Sequence, residues 1–379
     1  MANEQCPNPD RCGSCSWSHI PYEKQLKQKL SDINGSFALK DLTIECTEIL
    51  PSPRTSHYRN RMDFVINFQG EVGLREKGKW WRVIDNHTCF ISEIKIEELF
   101  YIIRTWVKES GLSFFDRKTH TGFLRYAVIR STSLGESMVT IVTSAPLDEE
   151  KNLAQSKLEE LAKLTSATTL IWAINHTTND VSAGDELKTI SGLGTIKEKV
   201  GDKVFIIEPN SFFQTNSHAA VLLQESAREF LKLAPPAQHL LDLYCGSGFF
   251  GISVADLAQK VSGIEIVPEM IEAARLNAEL NNVSINFEAA QAEKSEWKNL
   301  GADVIILDPP RSGLHDNVVK DLIEVRPATI LYISCNYKSF AREFVMLGEH
   351  YEVTKMRAID MFPHTPHVEL ISLLRARQS

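Results

Sequence analysis

Cys335 and Glu369 have the types and placement to do covalent chemistry. Cys335 follows the apolar run TILYIS and precedes a helical pattern beginning near Tyr337. Amide dipoles at such a helix start can lower a thiol pKa and leave a nucleophilic thiolate. Glu369 opens the last strand-like run, VELISLLRAR, which should return beside the strand that ends at Cys335. A thiolate and a carboxylate facing one pocket suit covalent activation followed by proton abstraction. Between them in sequence, Asp308-Pro309-Pro310-Arg311 ends another apolar run. Two prolines after an acid make a rigid lip with a fixed carboxylate, suited to holding a planar base and a cofactor amine.

These groups need a scaffold that gathers strand ends, and a glycine loop marks one. HLLDLY runs into Cys245-Gly246-Ser247-Gly248-Phe249-Phe250-Gly251 and then into a helical pattern, a full G-x-G-x-x-G in a strand-turn-helix setting. Gly246 and Gly248 allow a tight turn and close backbone approach to a nucleotide, and Glu265, at the end of the next strand, can accept both ribose hydroxyls. The loop alone leaves NAD and S-adenosylmethionine both open.

From residue 235 onward, strand-like runs alternate with helical ones, and the chain closes with two successive strands, YEVTKMRAID and VELISLLRAR. That pattern predicts a doubly wound, mostly parallel sheet with an antiparallel strand at its end. Upstream, PYEKQLKQKLSDI and EIKIEELFYIIRTWVKES read as helices, RMDFVINFQGEVGLREKGKWWRVID as a hairpin turning at QG, and LRYAVIRSTSLGESMVTIVT as a strand pair. The expected division is a Cys-rich segment over residues 1–30, an α+β region over 31–234 and an α/β domain over 235–379, with KLAPPAQ (232–238) as the junction.

A second constellation is Cys6-x5-Cys12-x2-Cys15 with the distant Cys89. Four thiolates suffice for a closed tetrahedral zinc or a [4Fe-4S] cluster, and the spacing does not choose. Cys46 and Cys245 read as packing thiols, and His364 and His367 as loop-shaping residues.

The whole chain carries 41 basic and 49 acidic residues, a net charge of −8, so any nucleic-acid contact must be local. PSPRTSHYRNRMDF gathers Arg54, His57, Tyr58, Arg59 and Arg61, which suits either phosphate contact with a stacking ring or an ordinary solvated turn. Arg125 and Arg130 could extend that surface. The start of the sequence lacks the features of a secretory signal and no apolar run is long enough to cross a membrane, so a cytoplasmic, monomeric protein is expected.

LDLYCGSGFFG, IE, LDPPRSGL, YISCN and MFPHTPHVEL, in this order and spacing, resemble the RNA uracil-5-methyltransferases, and SFFQTN (211–216) matches the segment before the cofactor domain of that family. The resemblance implies a class I, Rossmann-like, seven-stranded S-adenosylmethionine-dependent methyltransferase domain with an N-terminal α+β RNA-binding region and a small Cys-rich cluster segment. It implies Cys335 as the nucleophile that adds to C6 of uracil and Glu369 as the general base that removes the C5 proton. Gln214, Tyr244, Gly246, Gly248, Glu265 and Asp308 would hold the cofactor, and Asp308 and Arg311 would lie near the target base. The resemblance favours [4Fe-4S] on Cys6, Cys12, Cys15 and Cys89, with a structural role. It also favours RNA contact by Arg54, Tyr58, Arg59, Arg61 and Arg125.

Length and the absence of an added β-barrel (TRAM) domain make the chain most similar to the short iron-sulfur members acting on 23S ribosomal RNA, the expected substrate. A transfer RNA loop is the alternative with the same chemistry. A nicotinamide-dependent oxidoreductase leaves DPPR, SCN and Glu369 unexplained, and a noncatalytic RNA-binding scaffold gives Cys335 nothing to do.

Overall fold

The computed structural model describes residues 6–87 and 89–378. In chain order the elements are α1 (Tyr22–Ala38), β1 (Ile49–Leu50), β2 (Arg61–Ile66), β3 (Val72–Glu76), β4 (Lys79–Asp85), α2 (Ile94–Glu109), β5 (Leu124–Ser131), β6 (Ser137–Ser144), α3 (Asp148–Thr165), β7 (Thr169–Asn175), β8 (Glu186–Ser191), β9 (Ile196–Val200) and β10 (Lys203–Ile207). Then come α4 (Ser217–Leu231), β11 (Ala237–Leu243), α5 (Phe249–Val254), β12 (Ala258–Glu265), α6 (Pro268–Leu280), β13 (Asn286–Ala289), β14 (Val304–Leu307), α7 (Asp316–Val325), β15 (Thr329–Ser334), α8 (Tyr337–Leu347), β16 (Tyr351–Ile359) and β17 (Glu369–Ala376). They fall into two compact units.

The first unit takes the described residues up to His19, Arg54–Lys199 and Ile206–Ser217. Its seven-stranded sheet has the order β4-β3-β2-β5-β6-β7-β8. Every pair described is antiparallel except β6–β7, whose parallel register requires the crossover that α3 supplies. The expected hairpin at residues 61–85 is a three-stranded meander. It turns once at Asn67–Gly70, where the Asn67 side chain accepts the Gln69 and Glu71 N–H groups, and again at Gly78. Phe64, Phe100, Trp106, Leu158 and Trp172 fill one core.

The second unit takes Ile20–Pro53, Val200–Phe205 and the described residues from His218 onward. Its sheet has the order β1-β16-β17-β15-β14-β11-β12-β13. Strands β11 to β15 run parallel and β17 lies antiparallel between β15 and β16. VIIL and TILYIS are buried throughout, as strands covered on both faces must be. This is the doubly wound, Rossmann-like sheet expected from the sequence. The seven strands from β11 to β17 gain an eighth, the two-residue β1, parallel to β16.

The boundaries differ from the sequence reading. Residues 20–30, expected in the Cys-rich segment, and residues 31–53 and α4, expected in the central region, belong to the second unit, whose core Ile33, Phe37 and Cys46 enter beside Leu241, Phe340 and Leu374. Residues 232–238 therefore lie inside that unit and do not join the two. Among the described residues no helix is long and apolar enough to cross a membrane.

Candidate active site

Parallel strands deliver their C-terminal ends to one edge of the sheet, and the second unit loads that edge with acids. After β11 the chain turns sharply: Tyr244 adopts φ 81° and Gly246 and Gly248 φ 52° and 87°. The φ of 87° at Gly248 favours glycine there, and a Cβ would also press on Ile252 Cδ1 at 2.8 Å. Gly251 N–H donates to Asp242 Oδ2 at 2.7 Å. Glu265, at the end of the adjacent β12, accepts the Gly246 N–H at 3.2 Å and the Val267 N–H at 3.0 Å. The loop and its acidic partner are thus locked together. Beyond them lies a depression of about 370 Å³ lined by Glu288, Ala290, Gln291, Lys294, Ser295 and Glu296.

Asp308 follows β14 and Cys335 follows β15. Because Ser334 pairs with Leu370 in the antiparallel ladder, Cys335 and Glu369 end adjacent strands side by side. Asn336 caps α8, accepting the Lys338 N–H at 3.3 Å, and its Nδ2 donates to the Arg311 carbonyl at 3.0 Å. That bond ties the DPPR lip to the cysteine turn. Arg311 is exposed, and its Nη2 lies 3.2 Å from His367 Nδ1.

Burial governs the protonation of these groups. It pushes the Glu369 carboxyl up to about 7 and the Asp242 carboxyl up to about 7, the latter opposed by the Gly251 N–H and reinforced by Glu265. Asp308 is driven well above the carboxylate range by burial and by Glu369 and Asp242. The Cys335 thiol rises to about 11, first from burial, then from the charges of Glu369 and Asp308, with Arg311 opposing. The expected helix-start activation of Cys335 is therefore outweighed in this state. Carboxylates crowding one edge favour a small cation, and a bound positive charge would ease ionisation of the thiol.

The cofactor residues read from the sequence separate by unit. Tyr244, Gly246, Gly248, Glu265 and Asp308 share the edge just described. Gln214 belongs to the first unit, where it is buried and its carbonyl accepts from Asn60 Nδ2 at 3.1 Å. The sequence reading passed over Asn60 and the fully buried Glu198, although the two anchor this segment. Ser217 Oγ accepts from Asn60 Nδ2 at 2.7 Å and donates to Glu198 Oε2 at 2.5 Å. Nothing in the residue types alone marks them.

Two of the expected RNA-facing residues are internal. Tyr58 is 1% exposed within the first unit's core, and Arg125 is 0% exposed, donating to the carbonyls of Thr177 and Asn179 over the Phe115 ring. Neither presents a surface to RNA. Arg130 is also buried. Arg61 is half-buried and pairs with Asp63 at 2.8 Å, while Arg54 is exposed.

The N-terminal cysteines converge. Cys12, Cys15 and Cys89 are buried in the first unit's core and Cys6 packs against it. Burial raises the Cys15 thiol far above its ordinary value, and Cys89, Cys12 and Cys6 each add to the rise. Cys89 is pushed up to about 11 by burial, reinforced by Cys12. Arg59 opposes the rise at Cys15 and Cys89, so this half-buried guanidinium lies close enough to the thiols for its charge to be felt. Among the described residues no group of three or more His, Cys, Asp or Glu is disposed to hold a single metal ion.

Comparison with known proteins fixes the family. The family described as tRNA (Uracil-5-)-methyltransferase matches residues 21–377. The chain belongs to it. Among curated members, the tRNA (uracil(54)-C(5))-methyltransferase of Pyrococcus horikoshii is 38% identical over 372 residues, 98% of this chain and 85% of that protein. The enzyme of the same name from Pyrococcus furiosus is 37% identical over 379 residues, again 98% and 85%. The crystal structure of the Pyrococcus abyssi tRNA (uracil-54, C5)-methyltransferase in complex with S-adenosyl-L-homocysteine superposes with a TM-score of 0.80. It is 35% identical, over 96% of this chain and 86% of that one. This family member is an RNA uracil-5-methyltransferase. The ribosomal substrate expected from length finds no support among these relatives, whose names specify transfer RNA.

Proposed function

We propose that the protein methylates C5 of a uridine in transfer RNA, at the position that corresponds to uridine 54 of its relatives' substrates, using S-adenosylmethionine. The observation that carries the chemistry is the adjacency of Cys335 and Glu369 at paired strand ends beside Asp308. S-adenosylmethionine, when bound, supplies an electrophilic methyl group and a positive charge. Tyr244, Glu265, Asp308 and the Gly246–Gly248 turn are the proposed cofactor contacts in the second unit, and Gln214 in the first.

In the proposed reaction Cys335 first gives up its thiol proton to solvent; the thiolate Sγ then forms a bond to C6 of uracil, and the electron pair of the C5–C6 double bond becomes available at C5. That carbon takes the methyl group, releasing the neutral thioether. Glu369, ionised, accepts the C5 proton; the pair from the broken C5–H bond restores the double bond as the C6–sulfur bond breaks and the Cys335 thiolate leaves. A pKa near 7 suits a group that must lose and regain a proton near neutrality. A uridine within a helix would have to leave its stack to reach Cys335. Arg54, Arg59 and Arg61 in the first unit and Arg311 in the second are the proposed RNA contacts.

For Cys6, Cys12, Cys15 and Cys89 a [4Fe-4S] cluster is proposed. Thiols gathered closely enough that Cys89, Cys12 and Cys6 each push up Cys15 and Cys12 pushes up Cys89, with no histidine among them, fit an all-thiolate cluster whose net charge Arg59 would offset. Its role would be to tie residues 6–15 to the turn that carries Cys89. A cytoplasmic address accords with an RNA substrate.

The test is transfer of labelled methyl from S-adenosylmethionine to unmodified transfer RNA and 23S ribosomal RNA transcripts, followed by nucleoside analysis. The reading expects labelled 5-methyluridine in transfer RNA with the wild type and none with Cys335→Ala. Label confined to the ribosomal transcript would overturn the choice of RNA, and label from Cys335→Ala the choice of nucleophile.

A further inference from the structure

The loop that delivers Glu369 is gripped by residues that none of the motifs contains. Asp360 follows β16, and residues 361–368 lead into β17, so the path of that loop, together with the Ile359–Glu369 pairing, sets where Glu369 stands. Helix α1, in the same unit, reaches it from over 300 residues upstream. Lys29 Nζ donates to Asp360 Oδ1 at 2.6 Å and to the Phe362 carbonyl at 3.2 Å, and both charged side chains are 0% exposed. One turn earlier, on the same helix face, lies the fully buried Gln25. Its Oε1 accepts the His364 N–H at 2.8 Å, and its Nε2 lies 3.2 Å from His364 Nδ1 and donates to the Ile20 carbonyl at 2.8 Å.

The loop is also tied internally. Asp360 Oδ1 accepts the Phe362 N–H at 3.0 Å, Thr365 Oγ1 donates to the Phe362 carbonyl at 2.8 Å, and the His367 N–H donates to Thr365 Oγ1 at 3.2 Å. His364 sits at φ 68°, a left-handed conformation that non-glycine residues keep only where the surroundings impose it.

Docking the helix does not require these polar groups. Ile33 and Phe37 already bury it in the core, Phe37 with its ring 6.0 Å from that of Phe340. A buried ion pair is a poor source of stability compared with apolar residues of the same size. What Lys29 and Gln25 add is direction, because they seize Asp360, Phe362 and His364 at defined angles. We infer that Lys29 and Gln25 are positioning residues that hold the 360–368 loop so that Glu369 meets the C5 proton. This rests on Glu369 being the base.

The experiment uses full-length Lys29→Met, Gln25→Leu and the neutral pair Lys29→Met/Asp360→Asn, with Glu369→Gln as reference. Each is assayed for thermal unfolding, S-adenosylhomocysteine affinity, kcat and KM, and accumulation of the methylated covalent enzyme–RNA adduct on denaturing gels. Displacing a reacting group by about 1 Å can cost about 10²-fold in rate. We expect kcat to fall by about that factor in all three variants, with adduct accumulating and cofactor affinity within about twofold of wild type. We further expect the neutral pair to regain the thermal stability lost in Lys29→Met without regaining kcat. A merely structural role predicts that rate and stability recover together. If Glu369→Gln traps adduct while Gln25→Leu and the neutral pair release product at the wild-type rate, the inference fails and the base assignment stands. If Glu369→Gln itself releases product normally, the base assignment fails and takes the inference with it.

Discussion

Glu369→Gln should cripple product release and stabilise the protein at the same time, and the size of the second effect follows from the burial of the carboxyl. Glu369 is 6% exposed and its pKa rises from 4.5 to about 7. A raised carboxyl pKa means that the folded state holds the proton more tightly than the unfolded chain. The favourable contribution is complete below pH 4.5 and is lost as pH climbs through 7. The gap between 4.5 and about 7, at about 1.4 kcal/mol per pH unit, amounts to about 3 kcal/mol once both states are ionised. Glutamine has nearly the same volume and no charge to desolvate. Its advantage in urea unfolding should therefore be below about 1 kcal/mol at pH 5 and about 3 kcal/mol at pH 8. Removing the charge also relieves Cys335 and Asp308, both pushed up in part by Glu369. The same variant, given RNA and S-adenosylmethionine, should accumulate a methylated covalent adduct. An equal or lower stability than wild type at pH 8 would refute the desolvation argument, and free methylated product at the normal rate would refute the base.

Two further outcomes are expected. Gly248→Ala forces a side chain into φ 87° and within 2.8 Å of Ile252, so stability should fall by about 1–2 kcal/mol and S-adenosylhomocysteine affinity should drop; isothermal calorimetry showing unchanged affinity would separate the loop from the cofactor. Cys89→Ser, reconstituted anaerobically with iron and sulfide, should lose the visible absorption that the wild type gains, and if the wild type takes up no iron the cluster proposal fails.

The second unit was legible because its signals are local. Continuous apolar runs named the parallel strands, and two strands in succession named the antiparallel pair that brings Glu369 beside Cys335. What escaped is what sequence distance hides. Helix α1 reads as a surface helix, with lysines at 24, 27 and 29, yet Lys29 has a buried acid waiting 331 residues away. Arg125 and Tyr58 look like RNA contacts by type, but carbonyls at Thr177 and Asn179 satisfy the guanidinium indoors, and Tyr58 packs in the core. The pKa of Cys335 escapes the sequence for a related reason. The helix start was visible in sequence, whereas the two acids crowding the thiol come from other strands.

The strand that carries Glu369 is last in order and yet sits inside the sheet, between β15 and β16. During synthesis, every other strand of that sheet leaves the ribosome first and must wait with a gap in its middle. A chain cut short before β17 would keep the proposed nucleophile, lack the proposed base and leave β15 and β16 with unpaired edges, prone to stick to other chains.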